Sequence, residues 1–274
     1  MSNRIPLFDA LAHPTPNGNW LGSKAAGRNT FDRYLLEMKE ANCRWALCVG
    51  LDGIGGYDES KYADLVRSTS KRMYPIAYFD FNQGLRVREL DRRFRRLKEK
   101  GYRGIKIHPR IAKIQLDHPS LPSIIQRAMH ADLLVLLCTN FHGAGAHAYR
   151  NNLSALSKLL GELHDPKLIL VHAGAVRLLE TMEIARPYPR VLLDLSETFC
   201  KYEGSSIDLD IQFMFRKFDR RICVGSDSPE FSLHDVRRRF NEFAGDLDAD
   251  KAANIAHKNL LAFMGEPNRS DLGD

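Results

Sequence analysis

Short runs of Leu, Ile and Val alternate along the whole chain with segments whose apolar residues recur at helical spacing. Runs of strand length occur at Pro6–Asp9, Trp45–Val49, Tyr74–Phe79, Gly104–His108, Leu133–Cys138, Leu168–His172, Val191–Leu195 and Ile222–Val224. Runs this apolar read as strands buried on both faces. Between them the period changes. Phe31, Tyr34, Leu35 and Met38 follow Thr30, a residue type that caps a helix by accepting a backbone N–H. Leu153, Leu156, Leu159, Leu160 and Leu163 form one stripe. Ser232 precedes Leu233, Val236, Phe240 and Phe243, with Asp235 placed to complete a capping box. A last helix is expected over Ala249–Met264.

Eight strand–helix units in 274 residues match the bookkeeping of an α/β fold of the (β/α)8 barrel type. No linker, repeat or low-complexity tract divides residues 1–274, so a single domain is expected. The rival is an open doubly wound sheet, which needs a glycine-rich phosphate turn. Its nearest match is Gly53-Ile-Gly-Gly-Tyr57, but Asp58 stands where the third glycine belongs. Connections leading into strands are short. Those leaving them (Ala10–Asn29, Pro109–Pro119, Thr139–Arg150, Ser196–Ser206) are long. In a barrel these loops share one rim, where active sites are built.

Composition narrows the class. With 44% apolar and 27% charged residues the chain is an ordinary globule. Its longest apolar run, Leu133–Cys138, is far below the ~18 residues of a membrane span. The start, Met-Ser-Asn-Arg-Ile-Pro, has no signal-type segment, so a cytoplasmic location without membrane contact is expected. Five dispersed cysteines with no CxxC pair argue against a disulfide framework. The net charge of +6 comes largely from Arg86–Arg103, which reads as an amphipathic helix with a solvated basic face. No nucleic-acid-binding motif accompanies it, so the expected partner is a small molecule. The oligomeric state, including a homo-oligomer, stays open.

The polar residues finishing the strands are a selected set. Asp9 and His13 follow the first; Lys106, His108 and Arg110 close the fourth. Cys138 closes the fifth, His172 the sixth, Asp194 and Ser196 the seventh, and Asp227 the eighth. Alternation puts Lys106 and His108 on one side, toward the barrel mouth if Ile105 and Ile107 face the helices. Barrel closure sets the first strand beside the eighth and so His13 beside Asp227. His, Cys and Asp gathered there are the ligand types of a zinc-like site, which would polarise a carbonyl and activate water. A carboxylate could then shuttle the water's proton to the leaving group. His142 and His147 lie in the Gly/Ala-rich loop after the fifth strand, Arg177 follows the sixth, and Trp20 sits in the long first loop as a lid or plug.

In these segments the chain resembles the amidohydrolase-related barrels of the metal-dependent hydrolase superfamily. The resemblance is carried by Asp9–Pro14, Gly101–Pro109, Leu168–Gly174, Val191–Ser196, Val224–Pro229 and Ile255–Gly265. It implies a barrel fold and lactone, amide or decarboxylase chemistry, with a divalent metal. The carry-over is incomplete. Leu11 stands where the first metal-binding histidine of the D-x-H-x-H pattern is expected, and Cys138 replaces the fifth-strand histidine; His13, His172 and Asp227 match. Three readings follow: a metal site, zinc foremost, held by His13, Cys138 and Asp227; a metal-free hydrolytic site using Asp227 and His172; or a barrel that only binds ligand. The working expectation is a hydrolase of a small anionic amide, ester or lactone, with a decarboxylase as its nearest rival. Asp227 and His172 would be catalytic, with Lys106, His108 and Arg110 on the substrate's negative end.

Overall fold

The computed structural model describes residues 5–21, 26–81, 87–141 and 152–266. All eight expected strands form: β1 Leu7–Ala12, β2 Cys43–Val49, β3 Met73–Tyr78, β4 Gly104–Ile107, β5 Leu134–Cys138, β6 Leu168–Val171, β7 Val191–Asp194 and β8 Ile222–Cys223. Neighbours pair in parallel and in chain order. The ring is closed just beyond β8. The Ala10 N–H donates to the Val224 carbonyl (3.1 Å), Asp227 N–H to Leu11 (2.8 Å) and His13 N–H to Ser228 (2.9 Å). The architecture is the expected single (β/α)8 barrel.

Strand alternation divides most of the apolar strand residues between two clusters. Phe8, Trp45, Leu47, Ile76, Leu136, Ile169 and Leu192 fill the barrel, while Ile105, Ile107, Val135, Leu137 and Leu170 pack outward against helix residues such as Phe94, Leu97 and Leu156. Caps match their sequence signals. Thr30 accepts from the Arg33 N–H at the start of the helix Phe31–Glu40, and Ser232 and Asp235 form a complete capping box before Leu233–Ala244. The basic helix runs Val87–Glu99. One of its arginines departs from the expected solvated face: Arg93 is buried, ion-paired to Glu59 at 3.0 Å and stacked over Phe79. The last helical stretch includes a π-helical segment, Asn254–Lys258.

The seam between first and last strands positions the site. β1 runs on past Asp9 to Ala12, and its register with β2 shifts between those residues. The shift places Ala10 and Leu11 together in the barrel interior and Ala12 outside. Buried Asp9 accepts from Tyr34 Oη (2.7 Å), the Ser226 N–H (2.8 Å) and the Leu11 N–H (3.2 Å). Burial pushes its carboxyl up to about 7 even against these hydrogen bonds. The approach is close enough to demand glycine beside it: a Cβ on Gly225 would lie 2.9 Å from the Leu11 nitrogen.

Candidate active site

One side of the barrel mouth is built by β1, β4 and the turn after β8. The His13 ring follows the β1 shift inward and is buried. Its Nδ1–H donates to the Val49 carbonyl (2.8 Å), which leaves the Nε2 lone pair facing Lys106 and Asp227. Lys106 Nζ lies 3.3 Å from that Nε2, and Asp227 Oδ1 is also 3.3 Å away. Burial and then the Lys106 charge push the His13 imidazolium down to about 4, against the pull of Asp227. At neutral pH this histidine is uncharged, with the ammonium donating to it. Trp20 stacks on the ring at 4.6 Å and donates from Nε1 to Glu230 (3.0 Å), so it covers His13 in the manner of a lid.

The opposite side comes from β5, β6 and β7. His172 donates from Nδ1 to the Ser196 carbonyl (2.9 Å). Burial alone would lower its pKa; the charge of Asp227, then contact with Cys138, lift it to about 9. Cys138 lies between His108 and His172, which end the strands on either side of it. Burial alone would raise the thiol, but His108 and then His172 hold it well below its ordinary value. Asp227 shows the same contest: burial favours the neutral acid, while the charges of His172 and Lys106 hold the carboxyl far below the usual carboxylate range. Asp194 and Ser196 support His172 from behind, with Ser196 donating from its N–H (2.9 Å) and its hydroxyl (2.5 Å) to the Asp194 carboxyl.

Among the described residues, His172, Glu197 and Asp227 bring one donor atom each within 4.8 Å of one another. Glu197 escaped sequence reasoning. It sits in the loop leaving β7, and no spacing singled it out. All three residues have left-handed backbone, with φ of 65°, 61° and 52°. The strain continues after His172 through Ala173 (φ 45°), Gly174 (φ 80°) and Ala175 (φ 55°). Such conformations cost of order 1–3 kcal/mol each and persist where surrounding contacts impose them. Here Thr198 Oγ1 donates to the His172 carbonyl (2.7 Å) and Thr139 Oγ1 accepts from the Gly174 N–H (2.9 Å).

The structure thus joins His13, Lys106 and Asp227 at one corner, and Cys138, His108 and His172 at another, with Asp227 and His172 linking them. His108 accepts the Ile111 N–H at Nδ1 (3.3 Å) and stands level with Cys138 on the neighbouring strand. Arg110 stands on the short helix Pro109–Ala112, and its buried Nε has no hydrogen-bond partner among the described residues. Arg177 pairs loosely with Glu180 (3.9 Å) on the outside. His142 and His147 lie outside the described residues.

A resident divalent ion fits the His13 corner poorly. At His13 the nitrogen it would use already faces the Lys106 ammonium at 3.3 Å, and Leu11 supplies no ligand. At the other corner both Glu197 oxygens are engaged, Oε2 by Asn140 Nδ2 (2.6 Å) and Oε1 by Lys201 Nζ (2.6 Å). Each oxygen keeps a lone pair, but a cation there would add its charge to that of Lys201.

Comparison with known proteins agrees with the architecture. The amidohydrolase family model matches residues 59–259, and the chain belongs to that family. No curated protein matches it. An uncharacterized TIM-barrel protein from Bordetella bronchiseptica superposes with a TM-score of 0.78 at 16% identity, over 95% of this chain and 100% of the other. A probable 2-pyrone-4,6-dicarboxylic acid hydrolase from Acinetobacter baumannii, with citric acid bound, gives 0.68 at 15% identity, over 94% and 99%. An amidohydrolase from Burkholderia multivorans with bound zinc gives 0.66 at 14% identity, over 96% and 100%. At these identities the likeness is one of fold. No helix among the described residues is long and apolar enough to cross a membrane.

Proposed function

We propose that this amidohydrolase-family barrel hydrolyses a small anionic ester, lactone or amide without a resident metal, Lys106 supplying the positive charge. The observation carrying this reading is the contact of Lys106 Nζ with His13 Nε2 at 3.3 Å, beside the ionised Asp227. Asp227 orients the attacking water and takes its proton. In the resting site its two cationic neighbours, His172 and Lys106, make it a weak base. An anionic substrate beside Lys106 offsets that charge and makes the carboxylate more basic, which couples catalysis to the substrate's negative end. His172, protonated up to about pH 9, donates to the carbonyl oxygen where charge develops. The free Nε–H of Arg110 is a donor for a substrate carboxylate. A carboxylate-rich hydrolase substrate is in keeping with the dicarboxylate named for the Acinetobacter structure.

Metal analysis of protein purified without chelator, together with turnover on a panel of anionic lactones and esters, tests this. Turnover unaffected by chelator is expected. Near-stoichiometric zinc that is required for turnover and drops on Cys138→Ala would restore the metal reading, with His13, Cys138 and Asp227 as its ligands. Loss of carbon dioxide from an aromatic acid, with no ester or lactone turned over, would assign the barrel to decarboxylation.

A further inference from the structure

All five cysteines are free. Cys43, Cys48 and Cys200 belong to the apolar core around the barrel and Cys223 to the one inside it, whereas Cys138 belongs to neither. Its position follows from strand register. Ile107 pairs with Leu137, and Cys138 with Val171, so the residues that follow on either side are His108 and His172. The charges of both imidazoles act on the sulfur. His172 is in turn oriented by the Ser196 carbonyl at 2.9 Å and backed by the Glu197 carboxylate at 3.7 Å. Glu197 is held by Asn140, on the same strand end as the cysteine. A sulfur nucleophile, an imidazole beside it and a carboxylate behind the imidazole are the parts of thiol acyl transfer.

We propose that Cys138 is the covalent nucleophile of this site, taking the acyl group of an ester or lactone as a thioester before water releases it. The inference rests on the hydrolase reading above. In the first half, the sulfur electron pair forms the C–S bond, the C–O bond breaks, and the departing alkoxide takes the proton of His172. In the second half, water adds to the thioester carbon and Asp227 takes one of its protons, which returns to His172. The C–S bond breaks, the sulfur regains its electron pair, and the acid is released. No oxidant or further reactant is needed.

The test uses the full chain and 4-nitrophenyl acetate, with the acetyl group located by peptide mass spectrometry after quenching. In Asp227→Asn, where release is blocked, a single acetyl is expected on Cys138, about tenfold or more above any other cysteine. Cys138→Ala should lose about 10²-fold or more of the wild-type rate on this ester. Acetylation of Cys138 no greater than that of Cys200, or wild-type turnover by Cys138→Ala, overturns the proposal. The two readings separate cleanly. An Asp227→Asn protein that turns over normally with acetyl on Cys138 refutes water activation by Asp227 and keeps the nucleophile. An inert Asp227→Asn protein without acetyl on Cys138 does the reverse.

Discussion

His13 and His172 face each other across one barrel mouth, both almost completely buried, yet burial decides the charge of only the first. Removal from water pushes both toward the neutral form. His13 has the Lys106 ammonium at 3.3 Å and titrates near 4; His172 has Asp227 and Cys138 as neighbours and titrates near 9. The comparison teaches that each strand end contributes less by its own side chain than by the partner the next strand sets beside it. A pair of groups pushed apart in this way divides the work at one pH, one imidazole as acceptor and one as donor.

Four substitutions break or sharpen this contrast, and they are expected to rank as follows. Asp227→Asn removes the group shared by both corners. Turnover should fall by about 10³-fold or more, and His172, observed by NMR, should titrate well below 9. Unaltered turnover would exclude Asp227 as the base. Lys106→Met should cost about 10²-fold in kcat/KM for anionic substrates, and His13 should titrate upward as the repelling charge disappears. The same variant should bind zinc more tightly than wild type by equilibrium dialysis; equal affinity would argue against the ammonium as the resident cation.

The pH profile gives the third. A protonated His172 and a neutral His13 are both required, so kcat/KM should fall as pH rises through about 9 and also as it falls through about 4. In His172→Gln the alkaline limb should vanish along with about 10²-fold of the rate. An alkaline limb unchanged in that variant would assign it to another group. The smallest effect concerns the backbone behind His172. Ala175→Gly relieves a left-handed φ of 55° with ψ near −117°, a region open to glycine. It should raise stability by about 1 kcal/mol, read from the denaturant midpoint. A lower midpoint would show that the turn carries no strain.

Much of this molecule was legible in the sequence. Parallel strands covered on both faces read as apolar runs, and all eight were found. Boundaries slipped where local geometry departs from the ideal. The β1 register shift carries that strand past Asp9, and nothing in Asp9-Ala-Leu-Ala signals an inward Leu11 beside an inward Ala10. The histidines at positions 13, 108 and 172 and the acid at 227 stood out because each ends a strand. Their pairings did not, because whether Cys138 faces His13 or His108 depends on register across neighbouring strands. Glu197 was invisible for a related reason: a left-handed residue turns its carboxylate back over the mouth, and sequence spacing carries no trace of that turn.

The seam has a consequence in time. The Ser226 N–H reaches Asp9 across 217 positions of sequence, and His13 meets Asp227 through the same closure. Loop-closure entropy makes contacts of that separation costly to form before the intervening units have docked. Regain of activity on refolding should therefore trail the recovery of helical signal, since a ring that lacks its last strand has no carboxylate to offer the first.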